Sequence, residues 1–572
     1  MLDKVVAAVE AQAHRLVEEF HRSVGPRGHK SHCDVDREIE EALRESLQAI
    51  LPATFAGEET GMSAGAKPGY TWLVNPHDGT YDFMQGRRGS AISVALLRGA
   101  APVLGVVCSP MPPDRGRDTI AWAEGASLVR NGRPVNNDLS RQSLYAGGFV
   151  FATASAALKP VGWSVAVAPA RYVAMPSIAY RMARIAAGDG VATASLHGVN
   201  EYDVAAGMAL VAAANGVVLD AEGRDIVLQG NVAARVSGVF AGAPQAARQL
   251  VKADWGRVEQ EPRREPRVTL GFPRNSTHVE KAQGVLLGQV IGDSLGSRVE
   301  FKSAEEIGKL FPRGVRELAD GGPYHTIAGQ PTDDSEMALT LARAILRHHG
   351  FERDKVLDAY RDWMQTRPID IGETTERGLL GLHTTESESN GSLMRVSPIG
   401  VWAAGDPARA AAAAREDSML THPNPLCVEA CAAYCAAIAA GVSGASRKEM
   451  VKVALAHCSG PAHDAIKRNA LPEDFTRGRA LIALQNAFYR LSSGAGVEES
   501  LVATVGCGGD TDTNAAITGA LLGAVHGREA FPARWVYAVL ACRPLTEAAS
   551  PRPRPTEYWP DDVLELAEAL LG

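Results

Sequence analysis

Glycine recurs at every fourth residue along GVLLGQVIGDSLG, at positions 284, 288, 292 and 296, and the spacing returns at Gly519, Gly523 and Gly527. Each glycine inside a helix costs roughly 1 kcal/mol against alanine, so two such stripes need a compensating gain. Close backbone contact between helices supplies one. Stripes of this kind are best known from membranes, but Gln289 and Asp293 inside the first run favour the core of a soluble all-helical unit. The pattern predicts two helices packed deep in a bundle, bringing Asp293, Glu300 and the turn before Asp510 near one another.

That turn opens the second stripe: Asp510, Thr511, Asp512 and Thr513 follow directly on Gly508 and Gly509. Far upstream, PTDDSEMALTLARAIL sets Thr332, Asp333 and Asp334 before another helical pattern, with Glu336 at capping-box spacing from Asp333. Thr and Asp are ordinary caps, because their oxygens accept the unpaired N–H groups of a first turn. Here each start carries more acid than a cap needs. If the two converge, four carboxylates can share space only when protonated or screened by cations. An all-oxygen set suits Mg²⁺, Mn²⁺ or Ca²⁺ and not zinc.

TDDS, GGDTDTNAAITGALLGA and GVLLGQVIGDSLGSRVEF, with SNGSLMRVSPIGVW and LTHPNP between them, resemble the ADP-ribosylglycohydrolases in kind and in order. The likeness runs from about Gly284 to Trp535. It implies an all-α orthogonal bundle and a hydrolase that cleaves the N- or O-glycosidic bond of ADP-ribose from an ADP-ribosylated acceptor. It also implies two Mg²⁺ ions, with Mn²⁺ as the alternative, held by Thr332, Asp333, Asp334, Asp510, Asp512 and Thr513 and gripping the distal ribose hydroxyls. Glu300, in VEF, falls where relatives carry an acid implicated in catalysis; by its own surroundings it reads as a surface strand residue. The expected catalytic set is Glu300, Asp333, Asp334 and Asp512, with Asp293 as runner-up to Glu300. Asn390, Gly391, Ser392 and Met394 match the family's ADP-ribose-facing loop, Gly508 and Gly509 are the expected ligand-side turn, and His422 stands beside the site and is not a base. Arg395 either pairs with phosphate or holds the loop.

The first half carries a different pattern. Val5–Phe20 and Asp36–Ile50 have helical periodicity, TWLVNPHDGTYDFMQG and SAISVALLRGAAPVLGVVCSP read as paired strands, and Asp203 opens an alanine-rich helix. Each acid has an ordinary explanation: Glu58 in a loop, Asp78 in a turn beside Gly79, Asp203 as an N-cap. Together, GEE, a PxDGT turn and YDVAAG are similar to the inositol monophosphatase family over roughly Asp34 to Asp220. The resemblance implies a layered α/β/α/β/α sandwich in which Mg²⁺ is held by Glu58, Asp78, Asp203, position 75 and the His77 carbonyl. Gly79 and Thr80 would present N–H groups to phosphate, and Asp36 with Thr80 would orient the attacking water. Position 75 departs from the family: relatives carry Asp, and the amide of Asn75 is neutral and bridges two cations poorly.

The 572 residues are therefore expected to be multidomain: an α+β layered sandwich over residues 1–250, a charged, Pro-rich linker over 251–277 with Val268–Phe272 as a candidate strand, and an all-α domain over 278–572. A net charge of −8 argues against a general nucleic-acid or membrane binder. The expected partner is an ADP-ribosylated protein or small molecule; a nucleic-acid acceptor stays open, and oligomeric state is not legible. Among the eight cysteines, Cys427, Cys431 and Cys435 share one helix face as small apolar residues. With no secretory signal and no uninterrupted apolar run of membrane length, a reduced, cytoplasmic compartment is expected. Three functions compete: removal of ADP-ribose from an acceptor, processing of a phosphorylated ADP-ribose by both halves, and a first half that only binds a phosphorylated ligand.

Overall fold

The computed structural model describes residues 1–271, 276–475 and 477–572, and the chain divides into two compact units, the first built mainly from residues 1–266 and the second mainly from 276–572. In the first, helices Leu2–Phe20 and Asp34–Ile50 bury one face each, through Val5, Val9, Leu16, Ile39 and Leu43, against Val74, Val94 and Val106 of an eight-stranded sheet. Asp118–Ala123, Ala101–Ser109, Ala91–Arg98 and Lys67–Asp78 run antiparallel, and Ala53–Gly57 adds parallel to the last. Trp72, Leu96, Leu104 and Ala123 form one cross-strand row. These central strands are apolar on both faces because the helix Glu201–Ala213 packs on the side away from the first two helices. A Cβ at Gly105 would run into the Ala206 carbonyl, so this helix rides on the strand backbone and carries Asp203 in close. A five-stranded sheet, ordered Arg171–Met175, Phe149–Thr153, Ala192–Ser195, Val239–Gly242, Val217–Leu219, lies beyond Ile178–Ala186 and completes the layering expected from the sequence.

Residues 251–266, expected to connect the halves, belong to the first unit. Gly256–Gln260 is a helix packed on Pro160–Ala166, and the Glu261 carboxylate accepts N–H bonds from Val161 and Gly162 at 3.2 and 2.7 Å. Val268–Gly271 form no strand, and Phe272 lies outside the described residues.

The second unit is all-helical among the described residues apart from isolated bridges. Its axis is the pair Ser276–Gly296 and Thr511–His526. A Cβ at Gly284, Gly288, Gly292 or Gly296 would run into the backbone of Gly523, Gly519, Ala515 or Thr511, respectively. One set of numbers rises as the other falls, so the helices are antiparallel and touch backbone to backbone along the whole stripe. Pro425–Val442 is long and apolar enough to cross a membrane by length and composition, although Glu429 interrupts it; 72% of it is buried within the unit. Cys427, Cys431 and Cys435 lie on its buried face.

Candidate functional site

The glycine contact sets the end of one axial helix on the beginning of the other: Gly296 faces the Asp512 backbone, and Thr511 Oγ1 donates to the Gly296 carbonyl at 2.8 Å. Gly508 and Gly509 adopt φ of 75° and 74°, a left-handed bend that glycine makes without strain. Phe301 N–H donates to the Gly509 carbonyl at 3.1 Å, and Gly509 N–H donates to the Lys302 carbonyl at 2.9 Å. This stitching draws Glu300 beside Asp510 and Asp512, with one carboxylate oxygen of each within 4.8 Å of the others. Glu300 is 8% exposed and is not the surface strand residue its surroundings suggested.

The other acidic start is held by the same axis. Asp293 accepts the N–H groups of Thr332 and Ser335 at 3.1 Å and the Thr332 hydroxyl at 3.0 Å. Asp293 therefore anchors the beginning of the helix Asp333–Arg347, a structural role that removes it as runner-up to Glu300. The Thr332 hydroxyl oxygen also lies 3.1 Å from Asp334 Oδ2, and Thr513 bonds Asp334 from the opposite start, so the two beginnings meet. Glu336 forms no capping box. It accepts from Arg554 Nε and Nη2 at 2.7 Å each and from Trp363 Nε1 at 2.8 Å, on the far side of its helix.

Burial first, and then facing carboxylates, hold Asp333, Asp334 and Asp512 well above the usual carboxylate range; Asp370 acts most on Asp333, Asp293 on Asp334 and Glu300 on Asp512. Burial pushes Glu300 up to about 7. Asp334 Oδ1 and Glu300 Oε2 are buried without a hydrogen-bond partner among the described residues. Bare carboxylate oxygens beside other acids are destabilising until a cation neutralises them. A hard-oxygen donor set of this kind fits Mg²⁺ or Mn²⁺.

These groups floor a cleft of about 650 Å³ whose walls include Asn390, Gly391, Met394, His422, Gly509 and Thr513. Asn390 Nδ2 donates to Asp510 Oδ2 at 2.6 Å. Three expected site residues do not line the cleft. Ser392 is buried against Ser418 Oγ at 2.9 Å, Gly508 backs onto Ala304, and Thr332 turns its hydroxyl onto Asp293 and Asp334. Arg395 holds the loop and does not face a phosphate: it is fully buried, donates to Asp417 at 2.9 Å and to Thr421 Oγ1 at 2.9 Å, and stacks on Tyr360. Asp370, which lines the cleft, and Tyr324, whose hydroxyl donates to Asp370 at 2.9 Å, were missed. Both sit in aperiodic loops with no motif around them.

His422 has Nδ1 2.7 Å from Thr421 Oγ1 and Nε2 2.9 Å from Ser389 Oγ, and burial, followed by Arg395, pushes it down to about 3. The fold thus requires the neutral ring. The unfolded chain takes up a proton below about 6.5 while the folded chain does not, so the stability from this group is complete above that pH and is lost as pH falls toward 3. Between pH 7 and pH 5 the loss is about 2 kcal/mol. Chemical denaturation at both pH values should show His422→Gln losing less than wild type by about that amount.

In the first unit the register of Lys67–Asp78 against Ala91–Arg98 shifts between Asn75 and Asp78, which turns this stretch out of the ladder. Asn75 Nδ2 donates to Asp203 Oδ1 at 2.7 Å, the Asn200 N–H donates to Asp203 Oδ2 at 2.7 Å, and Asn75 Oδ1 accepts from the His77 N–H at 2.8 Å. Asp78 Oδ2 accepts from Ser177 Oγ and Ala179 N–H at 2.6 and 2.8 Å. Loss of hydration raises Glu58, Asp78 and Asp203 above the usual range, and Asp203 and Asp78 raise Glu58 further. The three do not gather as one cluster with an oxygen of each within 4.8 Å of the others among the described residues, yet Asp203 and Asp78 are the charges that act most on Glu58. The His77 carbonyl accepts from Thr80 Oγ1 at 2.6 Å, Gly79 forms the turn before Thr80–Phe83, and Asp36 Oδ1 lies 2.7 Å from the His77 ring at Nδ1. Protein donors thus hold Asp78 and Asp203, and the neutral amide of Asn75 leaves one negative charge fewer for a Mg²⁺ pair than an Asp there would.

The second unit thus sets a carboxylate floor, of a donor type that hard divalent cations take, under a cleft of about 650 Å³. Residues 274–570 match the ADP-ribosylglycohydrolase family model, just over half of the sequence, and the chain belongs to that family of glycosidic-bond hydrolases. Residues 4–258 match the inositol monophosphatase family; both families are metal-dependent. The ADP-ribosyl-[dinitrogen reductase] glycohydrolase of Rhodospirillum rubrum is 27% identical over 275 residues, 45% of this chain and 89% of its own. ADP-ribosylarginine hydrolase Tri1 of Serratia proteamaculans is 25% identical over 287 residues, 46% of this chain and 75% of its own. For the first unit, the probable inositol 1-monophosphatase ImpA of Mycobacterium tuberculosis is 28% identical over 242 residues, 39% of this chain and 87% of its own.

Proposed function

We propose that the second unit removes ADP-ribose from an ADP-ribosylated acceptor with the help of two Mg²⁺ or Mn²⁺ ions, and that the acceptor is a guanidinium such as arginine. The observation that carries the reading is the meeting of two acidic helix starts, with Asp334 Oδ1 and Glu300 Oε2 left bare in the cleft floor. Asp333, Asp334, Asp510, Asp512 and Thr513 are the residues that would hold the ions, which supply charge screening and a grip on ribose hydroxyls when bound. Asn390 keeps Asp510 in place by its 2.6 Å bond, and the Asn390–Gly391 backbone walls the cleft where a pyrophosphate would lie. The Glu300 carboxyl, which lines the cleft, holds the proton exchanged between the attacking water and the leaving acceptor, and Tyr324 fixes Asp370. At the rim, Glu306, Asp370 and Glu373 face Lys302, an excess of negative charge that suits a cationic acceptor. Incubating the protein with ADP-ribosylated arginine, serine and nucleic-acid substrates, and identifying products by mass spectrometry, tests this. Free ADP-ribose from the arginine substrate only with Mg²⁺ or Mn²⁺ is expected; equal release in chelator contradicts it.

For the first unit, the Asn75–Asp203 bond favours binding of a phosphorylated ligand without turnover. Asn75→Asp restores the missing charge, and metal-dependent phosphomonoesterase activity should rise at least ~10-fold over wild type. Turnover at ordinary enzymatic rates by wild type would contradict the binding-only reading.

A further inference from the structure

Cys33 ends the short strand His32–Cys33, Asp36 stands in the first turn of Asp34–Ile50, and His77 lies in the bulged end of Lys67–Asp78. Sγ of the first, a carboxylate oxygen of the second and a ring nitrogen of the third lie within 4.8 Å of one another, and the residues are 0, 3 and 1% exposed. Phe83 meets the imidazole edge-on with centroids 4.4 Å apart, and Phe20 backs Phe83 at 5.1 Å, so the cluster is closed on that side by rings. His77 Nδ1 lies 2.7 Å from Asp36 Oδ1, while Nε2 is buried with no hydrogen-bond partner among the described residues. Nε2 faces away from Asp36, so a cation that both residues bind takes the place of the proton between Nδ1 and Asp36 Oδ1, and Nε2 carries the ring proton. The adjoining thiol makes the donor set soft, unlike the all-oxygen floor of the second unit.

We propose that Cys33, Asp36 and His77 bind one borderline divalent cation of the zinc class, with water completing the coordination, and that this site braces the start of Asp34–Ile50 against the strand that carries Asn75. On binding, the Cys33 S–H bond breaks, its proton passes to solvent and the sulfur bonds the cation; no electron is transferred. Burial and the neighbouring Asp36 carboxylate push the free thiol up to about 12, so the thiolate forms only with the cation.

The test uses the full chain, purified from zinc-supplemented medium and dialysed against Mg²⁺, with metal content read by mass spectrometry and zinc then exchanged for cobalt. About one zinc per chain and a sulfur-to-cobalt charge-transfer band in the near ultraviolet are expected. The carboxylates proposed for ADP-ribose release contain no sulfur, so this band succeeds or fails independently of that function. Cys33→Ser should lose the band and at least ~10-fold in zinc affinity, whereas Cys507→Ser keeps both. No retained zinc, no band in wild type, or a band that survives in Cys33→Ser would overturn the site. If Cys33→Ser does not fold, the wild-type spectrum decides alone, together with zinc protection of Cys33 from alkylation mapped by peptide mass spectrometry.

Discussion

Asp512→Asn is expected to lower kcat/KM for ADP-ribose release on the order of 10³-fold, about 4 kcal/mol of transition-state stabilisation. The carboxylate stands at the start of the second axial helix beside Glu300 and Asp510, so the amide removes one of the charges that draws cations into the cleft. The same change should stabilise the metal-free protein. Burial and neighbouring acids hold Asp512 well above the usual range, so its charged form works against folding as pH rises, and a neutral isostere removes that penalty. A higher thermal midpoint without metal, a smaller rise on adding Mg²⁺ and a collapsed turnover separate loss of a ligand from misfolding. Retained turnover would reject the assignment of Asp512.

Gly288→Val should have the largest effect on the fold. A Cβ there meets the Gly519 carbonyl and the Phe531 ring, and valine adds two methyl groups where two backbones already touch. Overpacking of this kind costs roughly 3 kcal/mol or more, and backbone on the opposing side cannot step aside as a side chain can. The axis also aligns Asp293 and Asp512 at one end, so splaying it separates the acid starts and lowers metal affinity along with stability. Gly308→Ala is the matched control: it lies in the helix Ala304–Leu310 with open space around its added Cβ and should stabilise by up to ~1 kcal/mol. Equal thermal midpoints for Gly288→Val and wild type would contradict the backbone-contact account.

The axis was legible because a one-in-four glycine period has few uses inside a helix, and the acid starts were legible because they exceed what capping needs. Glu300 was ambiguous for a physical reason. Nothing local places it; a turn more than two hundred residues later is hydrogen-bonded to the residues that follow it. Arg395 was balanced between phosphate and loop until Asp417 and Tyr360 appeared around it, and Ser392 sits next to cleft residues yet points into the core. In the first unit, Asn75 was visible as a departure, but its partner was not: the amide reaches across 128 positions and donates to Asp203. The neighbouring His77–Asp36 pair was hidden because the resemblance assigned Asp36 to water and used only the backbone of His77.

The most direct test is electron paramagnetic resonance of the full chain titrated with Mn²⁺. Two acidic helix beginnings closing on a shared pair of hard cations predict two bound Mn²⁺ with exchange-coupled spectra, lost in both Asp333→Asn and Asp512→Asn. A spectrum of isolated, uncoupled Mn²⁺, or coupling that persists in either variant, would contradict it.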